Sequence, residues 1–261
     1  MSDLVRLERT GGLATLTLDR PPMNSLNIAL KEELLAALRE VRDDGAVRAL
    51  LLAGSERAFC VGQDLKEHIA LIEAGDPAPM ETARVHYNPI TLTLATMPKP
   101  VVAAVRGVAA GAGASFAFAA DFRIAGESAS FLLAFAKIGL SVDSGASWLL
   151  PRLVGYAKAT ELCLLGDAVP AAEALRLGLV TRVVPDGEVL DTAGELAGRL
   201  AEGPTVAYGA IKEALAYGAA AELAPALEKE AELQARAGST ADHRAAVEAF
   251  VAKRPPLFEG R

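Results

Sequence analysis

The sequence predicts an α/β fold followed by a helical C-terminal part. Three observations predict it: short aliphatic runs that close on glycine, amphipathic stretches between them, and a final portion without strand-like runs. "LATLTL" (Leu13–Leu18) alternates like a half-buried strand, and "DRPPMNS" after it is rich in residues that break regular structure. In "NIALKEELLAALREVRDDG", Leu30, Leu34, Leu35, Leu38 and Val41 recur at helical spacing, so a helix is expected to run up to Gly45. "VRALLLAG" and "PVVAAVRG" read as buried strands followed by loops, and "FRIAG" is a third strand candidate. From about Gly187 onward, four Ala/Leu/Glu-rich segments broken at Gly203-Pro204, Gly218 and Gly238 read as helices. The last, "ADHRAAVEAFVAKRPP", is expected to begin at an Asp-containing cap and to end at Pro255-Pro256. The predicted division is a core over 1–198 and a helical region over 199–261.

With 261 residues, 52% of them hydrophobic and 23% charged, the chain can bury one large core, or a core with a small appendage. A formal net charge of −7 argues against a nucleic-acid surface, which needs an excess of Lys and Arg on one face. Arg236, His243, Arg244, Lys253, Arg254 and Arg261 form a local basic cluster near the end, read on charge alone as solvated. Cys60 and Cys163 lie far apart beside apolar neighbours, which suits two reduced thiols and a cytoplasmic address. "MSDLVRLERTGG" is too charged for a signal peptide, and the uncharged run from Gly107 to Ala120 is too short to span a bilayer. His68, His86 and His243 are not clustered with each other or with the cysteines at ligand spacing, so no metal site is expected.

Three stretches carry chemistry. "GVAAGAGASF" after "PVVAAV" has only half of a dinucleotide fingerprint, because Phe116 stands at the third glycine position. A glycine-rich turn that opens a helix does present free N–H groups to an anion or a developing oxyanion; close packing of helix on sheet is an equal explanation. "AFCVGQDLKEH" poses the same choice: Gly62 permits a sharp turn before a helical pattern that starts near Gln63-Asp64. In "AFAKIGLSVDSGASWLLPRLVG" a single carboxylate, Asp143, stands among residues that read as buried. It is either a helix cap or an acid held in an apolar cleft.

"AFCVGQDL", "PKPVVAAVRGVAAGAGASFAFAADFRIA" and "KIGLSVDSGASWLLPRLVG" resemble the signature segments of the crotonase (enoyl-CoA hydratase/isomerase) superfamily, and "RPPMNSLN" and "DHRAAVEAFVAKRPPLF" extend the resemblance over the whole chain. The resemblance implies a crotonase/ClpP-like spiral of ββα units with a C-terminal helical trimerisation region, assembled as a homotrimer or as a hexamer of two trimers. It also implies an acyl-CoA thioester substrate, coenzyme A entering as part of that substrate with no separate cofactor, and no nucleic-acid or membrane partner. Carried over by position, the oxyanion hole falls on the backbone N–H groups of Gln63 and Ala112. The acyl-CoA path falls on Met23, Ser25, Leu26, Gln63, Asp64, Leu65, Lys66, Gly111, Ser115 and Phe135. Phe250 and Lys253 of a neighbouring subunit would cover the nucleotide end.

Hydratases of the superfamily use two glutamates, and the matching positions here hold Ser115 and Phe135. Neither side chain can activate a water or donate a proton as a carboxyl group does. Asp143 matches the acid that certain isomerases of the superfamily use as a base, and the nucleophile of 4-chlorobenzoyl-CoA dehalogenases. "FC-x-GQDL", "YNP", "GVAAGAGA" and "WLLPR" are shared with the branch that isomerises ring-1,2-epoxyphenylacetyl-CoA. The expectation is therefore an acyl-CoA isomerase with Asp143 as proton shuttle, acting on that epoxide, on a 3-enoyl-CoA, or on both. An enoyl-CoA hydratase, a dehalogenase-like enzyme and a non-catalytic acyl-CoA binder are the alternatives.

Overall fold

The computed structural model describes residues 4–55 and 57–261. Strands β1 (Val5–Thr10) and β2 (Leu13–Leu18) pair antiparallel, and β2 buries alternate residues as its pattern predicts. Helix α1 (Ile28–Asp43) starts where the Asn27 side chain accepts from the Leu30 N–H, which satisfies one of the free donors of the first turn. It buries the predicted apolar stripe from Leu30 to Val41 and stops one residue short of Gly45.

From here the chain winds. β3 (Ala49–Gly54) is followed by the short β4 (Ala58–Cys60), then α2 (Leu65–Glu73), a π-helical turn (Ala83–Tyr87) and α3 (Asn88–Thr96). The next turn gives β5 (Val101–Val105), β6 (Val108–Ala110) and α4 (Ala112–Ala119), and the one after it β7 (Phe122–Gly126), β8 (Ser130–Leu132), α5 (Ala146–Val154) and α6 (Tyr156–Leu165). A shorter turn of β9 (Val169–Pro170), α7 (Ala171–Arg176) and β10 (Arg182–Val184) completes the core. The two sheets run β1-β2-β3-β5-β7-β10 and β4-β6-β8-β9. Each turn thus places one strand in each sheet, beside the strand from the turn before. This is the expected spiral of ββα units.

β3 and β5 are apolar throughout because both faces of the large sheet are covered. Leu50, Leu52, Val101, Ala103 and Val105 enter the main core, whereas Leu51, Ala53, Val102, Ala104 and Ile124 pack on Val189, Ala193 and Ala197 of α8 (Val189–Ala201). Truncating a fully buried residue such as Leu52 to Ala would cost about 2–5 kcal/mol in lost contacts and cavity. Helix α8 runs through position 198 and ends at Ala201.

The remaining helices, α9 (Thr205–Gly218), α10 (Leu223–Gly238) and α11 (Ala241–Val251), break where the glycines and Pro204 predict. The start and end of α11 differ from expectation. Its cap is Thr240, whose side chain accepts from the His243 N–H, and it ends at Val251, before Pro255. Asp242 turns away to accept from the N–H groups of Glu259 (2.6 Å) and Gly260 (2.9 Å), pinning the C-terminal segment back onto the helix. No helix among the described residues is long and apolar enough to cross a membrane. Both cysteines are free.

Candidate active site

The site begins where β4 and β6, parallel neighbours in the small sheet, run out into two glycine turns. After β4, Leu26 forms a parallel bridge with Gln63: the Leu26 N–H donates to the Gly62 carbonyl (2.8 Å), and the Asp64 N–H donates to the Leu26 carbonyl (3.1 Å). These two bonds straddle Gln63, so its own N–H points away from Leu26, and it meets no acceptor among the described residues. Gly62 is left-handed (φ +80°), and a β-carbon there would stand 2.8 Å from the Ala110 carbonyl oxygen and 3.5 Å from the Ala112 nitrogen. The two turns therefore touch, and only glycine allows it.

After β6, Gly111 (φ 53°) opens α4 with no side-chain cap, which leaves Ala112 as the first helical N–H. A β-carbon at Gly113 would collide with the carbonyl of Cys60, so the third glycine of this run lets α4 seat on the end of β4. Close packing of α4 on β4 is what brings the two turns side by side.

Asp143 stands on the loop before α5. Its carboxylate accepts from the Ser144 hydroxyl (2.8 Å), and the N-cap of α5 is Gly145, with no side-chain cap, so Asp143 is not a helix cap. Ser144 and Gly145 both take left-handed conformations (φ 52° and 79°). α3 holds this turn: the Thr91 hydroxyl donates to the Ser144 carbonyl (3.1 Å), and Thr91 also fills the space beside Gly145. Ser115 is fully buried and donates to the Gly111 carbonyl (3.3 Å), and the Phe135 ring reaches within 3.9 Å of the place a Gly111 side chain would occupy. Neither supplies an acid.

The other expected lining residues divide. Leu26 is closed off inside the hydrophobic core, so it contributes its backbone bridge to the site and its side chain to packing. Ser25 and Asp64 are engaged with each other (3.3 Å) and with Arg20, whose guanidinium meets the Asp64 carboxylate at 2.7 Å; Asp64 also caps α2 by accepting from Lys66 and Glu67. Met23 is half-buried, and Leu65 and Lys66 are exposed at the start of α2. Phe250, 85% exposed, and Lys253, just past α11, lie on the outer surface of the C-terminal helices.

Three residues networked with Gln63 carry no role in the sequence reading of the site: Lys31, Thr82 and Tyr87, the last noted only as the start of "YNP". The Tyr87 phenol donates to the Gln63 side-chain oxygen, Lys31 Nζ reaches the same oxygen at 3.3 Å, and it also donates to the Thr82 hydroxyl at 2.7 Å. A signal for Lys31 existed, since it precedes Leu35 and Leu38 by four and seven residues and so shares their face of α1.

The family model described as enoyl-CoA hydratase/isomerase matches residues 8–261. The chain belongs to the enoyl-CoA hydratase/isomerase family. Among its relatives, a Rhodobacter capsulatus protein described as an enoyl-CoA hydratase is 46% identical, covering 98% of both chains. The 1,2-epoxyphenylacetyl-CoA isomerase of Escherichia coli is 44% identical over 96% of both. A crystal structure from Mycobacterium abscessus, described as an enoyl-CoA hydratase/isomerase, superposes with a TM-score of 0.95 at 46% identity, covering 98% of this chain and all of that one.

In this enoyl-CoA hydratase/isomerase family member the electrostatics of the site follow from burial. Burial pushes the Asp143 carboxyl above the ordinary carboxylate range, against the pull of the Ser144 hydrogen bond. Burial, and after it the charge of Asp143, pushes the Tyr87 phenol up, so it stays protonated and remains a donor. Burial holds the Lys31 ammonium below its ordinary value and raises the Cys60 thiol to about 12, leaving Cys60 inert. Among the described residues no group of three His, Cys, Asp or Glu side chains is arranged to hold a metal.

Proposed function

We propose that the protein is an acyl-CoA isomerase in which Asp143 moves a proton between carbons while the N–H groups of Gln63 and Ala112 hold the thioester oxygen. The observation that carries this reading is the half-buried Asp143 carboxylate, whose side-chain partner is the Ser144 hydroxyl and whose charge bears on Tyr87, the donor to Gln63. The two positions that would equip a hydratase are occupied by a serine turned onto its own backbone and a phenylalanine ring.

On a 3-enoyl-CoA the Asp143 carboxylate takes a proton from the carbon next to the thioester. The electron pair moves into that carbonyl, and the negative charge settles on the oxygen between the two N–H donors. The carboxylic acid then returns the proton at the far end of the former double bond, giving the conjugated 2-enoyl-CoA at unchanged mass. An acid with a raised pKa suits both halves, since the group must hold the proton long enough to return it. Removal of the corresponding proton from the ring epoxide of phenylacetyl-CoA, ring expansion to the oxepin and return of the proton to the expanded ring together are also an isomerisation at constant mass. The 44% identity to the Escherichia coli isomerase supports that substrate. The acyl-CoA is the partner, no separate cofactor enters, and the protein works in the cytoplasm. Assembly into trimers or hexamers lets Phe250 and Lys253 of a neighbouring subunit approach the nucleotide end, and Met23, Leu65 and Lys66 border the acyl-CoA path.

Hydration is the second reading, favoured by the Rhodobacter capsulatus relative. Incubation with a 3-enoyl-CoA and, separately, a 2-enoyl-CoA separates them, with product mass and thioester absorbance followed together. Conjugation appearing at unchanged mass supports the isomerase. A gain of one water on the 2-enoyl substrate replaces it with the hydratase, and binding without turnover of either enoyl-CoA or of the ring epoxide replaces both with a non-catalytic acyl-CoA binder.

A further inference from the structure

Lys31 is the one charged side chain of α1 closed off from solvent, at 1% exposure. The nearest carboxylate oxygen, on Glu67, is 4.0 Å away, so the ammonium is buried without a close counter-ion. Such a burial costs stability relative to an apolar side chain of the same shape. Its three N–H groups meet three neighbours: Thr82 Oγ1 at 2.7 Å, Gln63 Oε1 at 3.3 Å and the distant Glu67 carboxylate. Gln63 and Thr82 are the two ends of one segment. Between them α2 buries none of its side chains, and Leu65, Ile69, Ile72 and Met80 are each about half exposed (54, 52, 53 and 47%). Packing alone therefore holds this segment weakly.

Other bonds make Lys31 the centre of the restraint. Glu67 accepts from the Ile28 N–H at the start of α1 (3.0 Å), and the Thr82 hydroxyl meets His86 Nδ1 at 3.1 Å. Burial, then the charge of Lys31, keeps His86 below its ordinary pKa, which suits a neutral ring nitrogen accepting from Thr82. Asp64 and Glu32 are the other charges that bear on Lys31.

We propose that Lys31 is a positioning residue for the thioester-polarising peptide: anchored on Gln63 and Thr82, it fixes the direction of the Gln63 N–H without touching the acyl group. The inference rests on Gln63 being a thioester donor, as proposed above. Losing an oxyanion donor outright costs about 100- to 1,000-fold in turnover, so loosening one from behind is expected to cost less, about 10- to 100-fold.

The test is Lys31→Met, of similar length and without charge, measured on the full-length protein with dimethylaminocinnamoyl-CoA, whose absorption moves to longer wavelength when its thioester carbonyl is polarised. The variant should bind the probe with little change in Kd but with a smaller red shift. Its kcat on the preferred enoyl-CoA should fall by about 10- to 100-fold with KM nearly constant, and its Tm should hold or rise because a buried charge has gone. If Lys31 acts through Gln63, Lys31→Met should add almost nothing on top of Gln63→Ala. Thr82→Val cuts the far anchor while keeping the charge, and should move red shift and kcat in the same direction should Lys31→Met fail to fold. A wild-type red shift fully retained in the variants, or additive effects with Gln63→Ala, overturns the inference alone. A wild-type protein that binds the probe with no red shift overturns the donor reading and this inference with it.

Discussion

The Tyr87 phenol donates to the side-chain oxygen of Gln63, the residue after the Gly62 turn that packs on the Ala112 turn. The same ring packs edge-on against Phe116 of α4 (centroids 6.1 Å apart, interplanar angle 67°), so one side chain braces both turns. Tyr87→Phe keeps the ring contact and removes the donor. A loss of about 0.5–1.5 kcal/mol of stability is expected in urea unfolding, together with a fall in kcat larger than any change in KM.

Asp143→Asn should lower turnover about 100- to 10,000-fold while acyl-CoA binding by calorimetry stays close to wild type. The same substitution should stabilise the protein at neutral pH. Because the folded pKa of Asp143 is raised above its unfolded value, the unfolded chain releases this proton first as pH rises, and the Asp143 contribution to stability declines between those two values. Melting curves of wild type and variant should therefore converge below pH 3.8 and separate above it, with the variant higher. Curves that cross the other way, or an active variant, would remove Asp143 from the role of buried base.

Gly62→Ala forces an L-residue into φ +80° and sets a methyl 2.8 Å from the Ala110 carbonyl oxygen. The conformational term alone is about 1–2 kcal/mol, and displacement of the Gln63 peptide should cost about 100- to 1,000-fold in kcat. Thermal melting and steady-state kinetics measure the two separately.

Asp242→Ala leaves the Thr240 cap of α11 in place but frees the Glu259 and Gly260 N–H groups. Hydrogen exchange at those two amides should quicken by at least about tenfold, the equivalent of one hydrogen bond to a charged group, with no effect on turnover.

Much of this was legible in the sequence, for physical reasons. β3 and β5 announce themselves because both faces of their sheet are covered, and Gly62 and Gly113 because nothing else fits where two backbones meet. β4, β6 and β8 have three residues each, too few for any periodicity, so the second sheet came from the resemblance and not from the pattern. Asp143 drew notice as an acid among apolar residues, and its freedom from capping needed coordinates, since only φ at Ser144 and Gly145 delays the helix. Lys31 was missed because a lysine in an amphipathic helix reads as solvated, and Asp242 because an acid in a first turn reads as a cap. In both cases the partner lies far along the chain, at Thr82 and at Glu259.

The pairing of β4 with β6 has one more consequence. The grip proposed for the thioester is made of main chain, and its spacing is set by neighbouring strands of a sheet. Exchanging side chains around it can therefore replace an acid, remove a base or admit a different acyl group while the handle that captures coenzyme A esters stays intact. A scaffold of this kind can change its reaction in few mutational steps while keeping its class of ligand, and descendants that share a ligand handle need not share a chemistry.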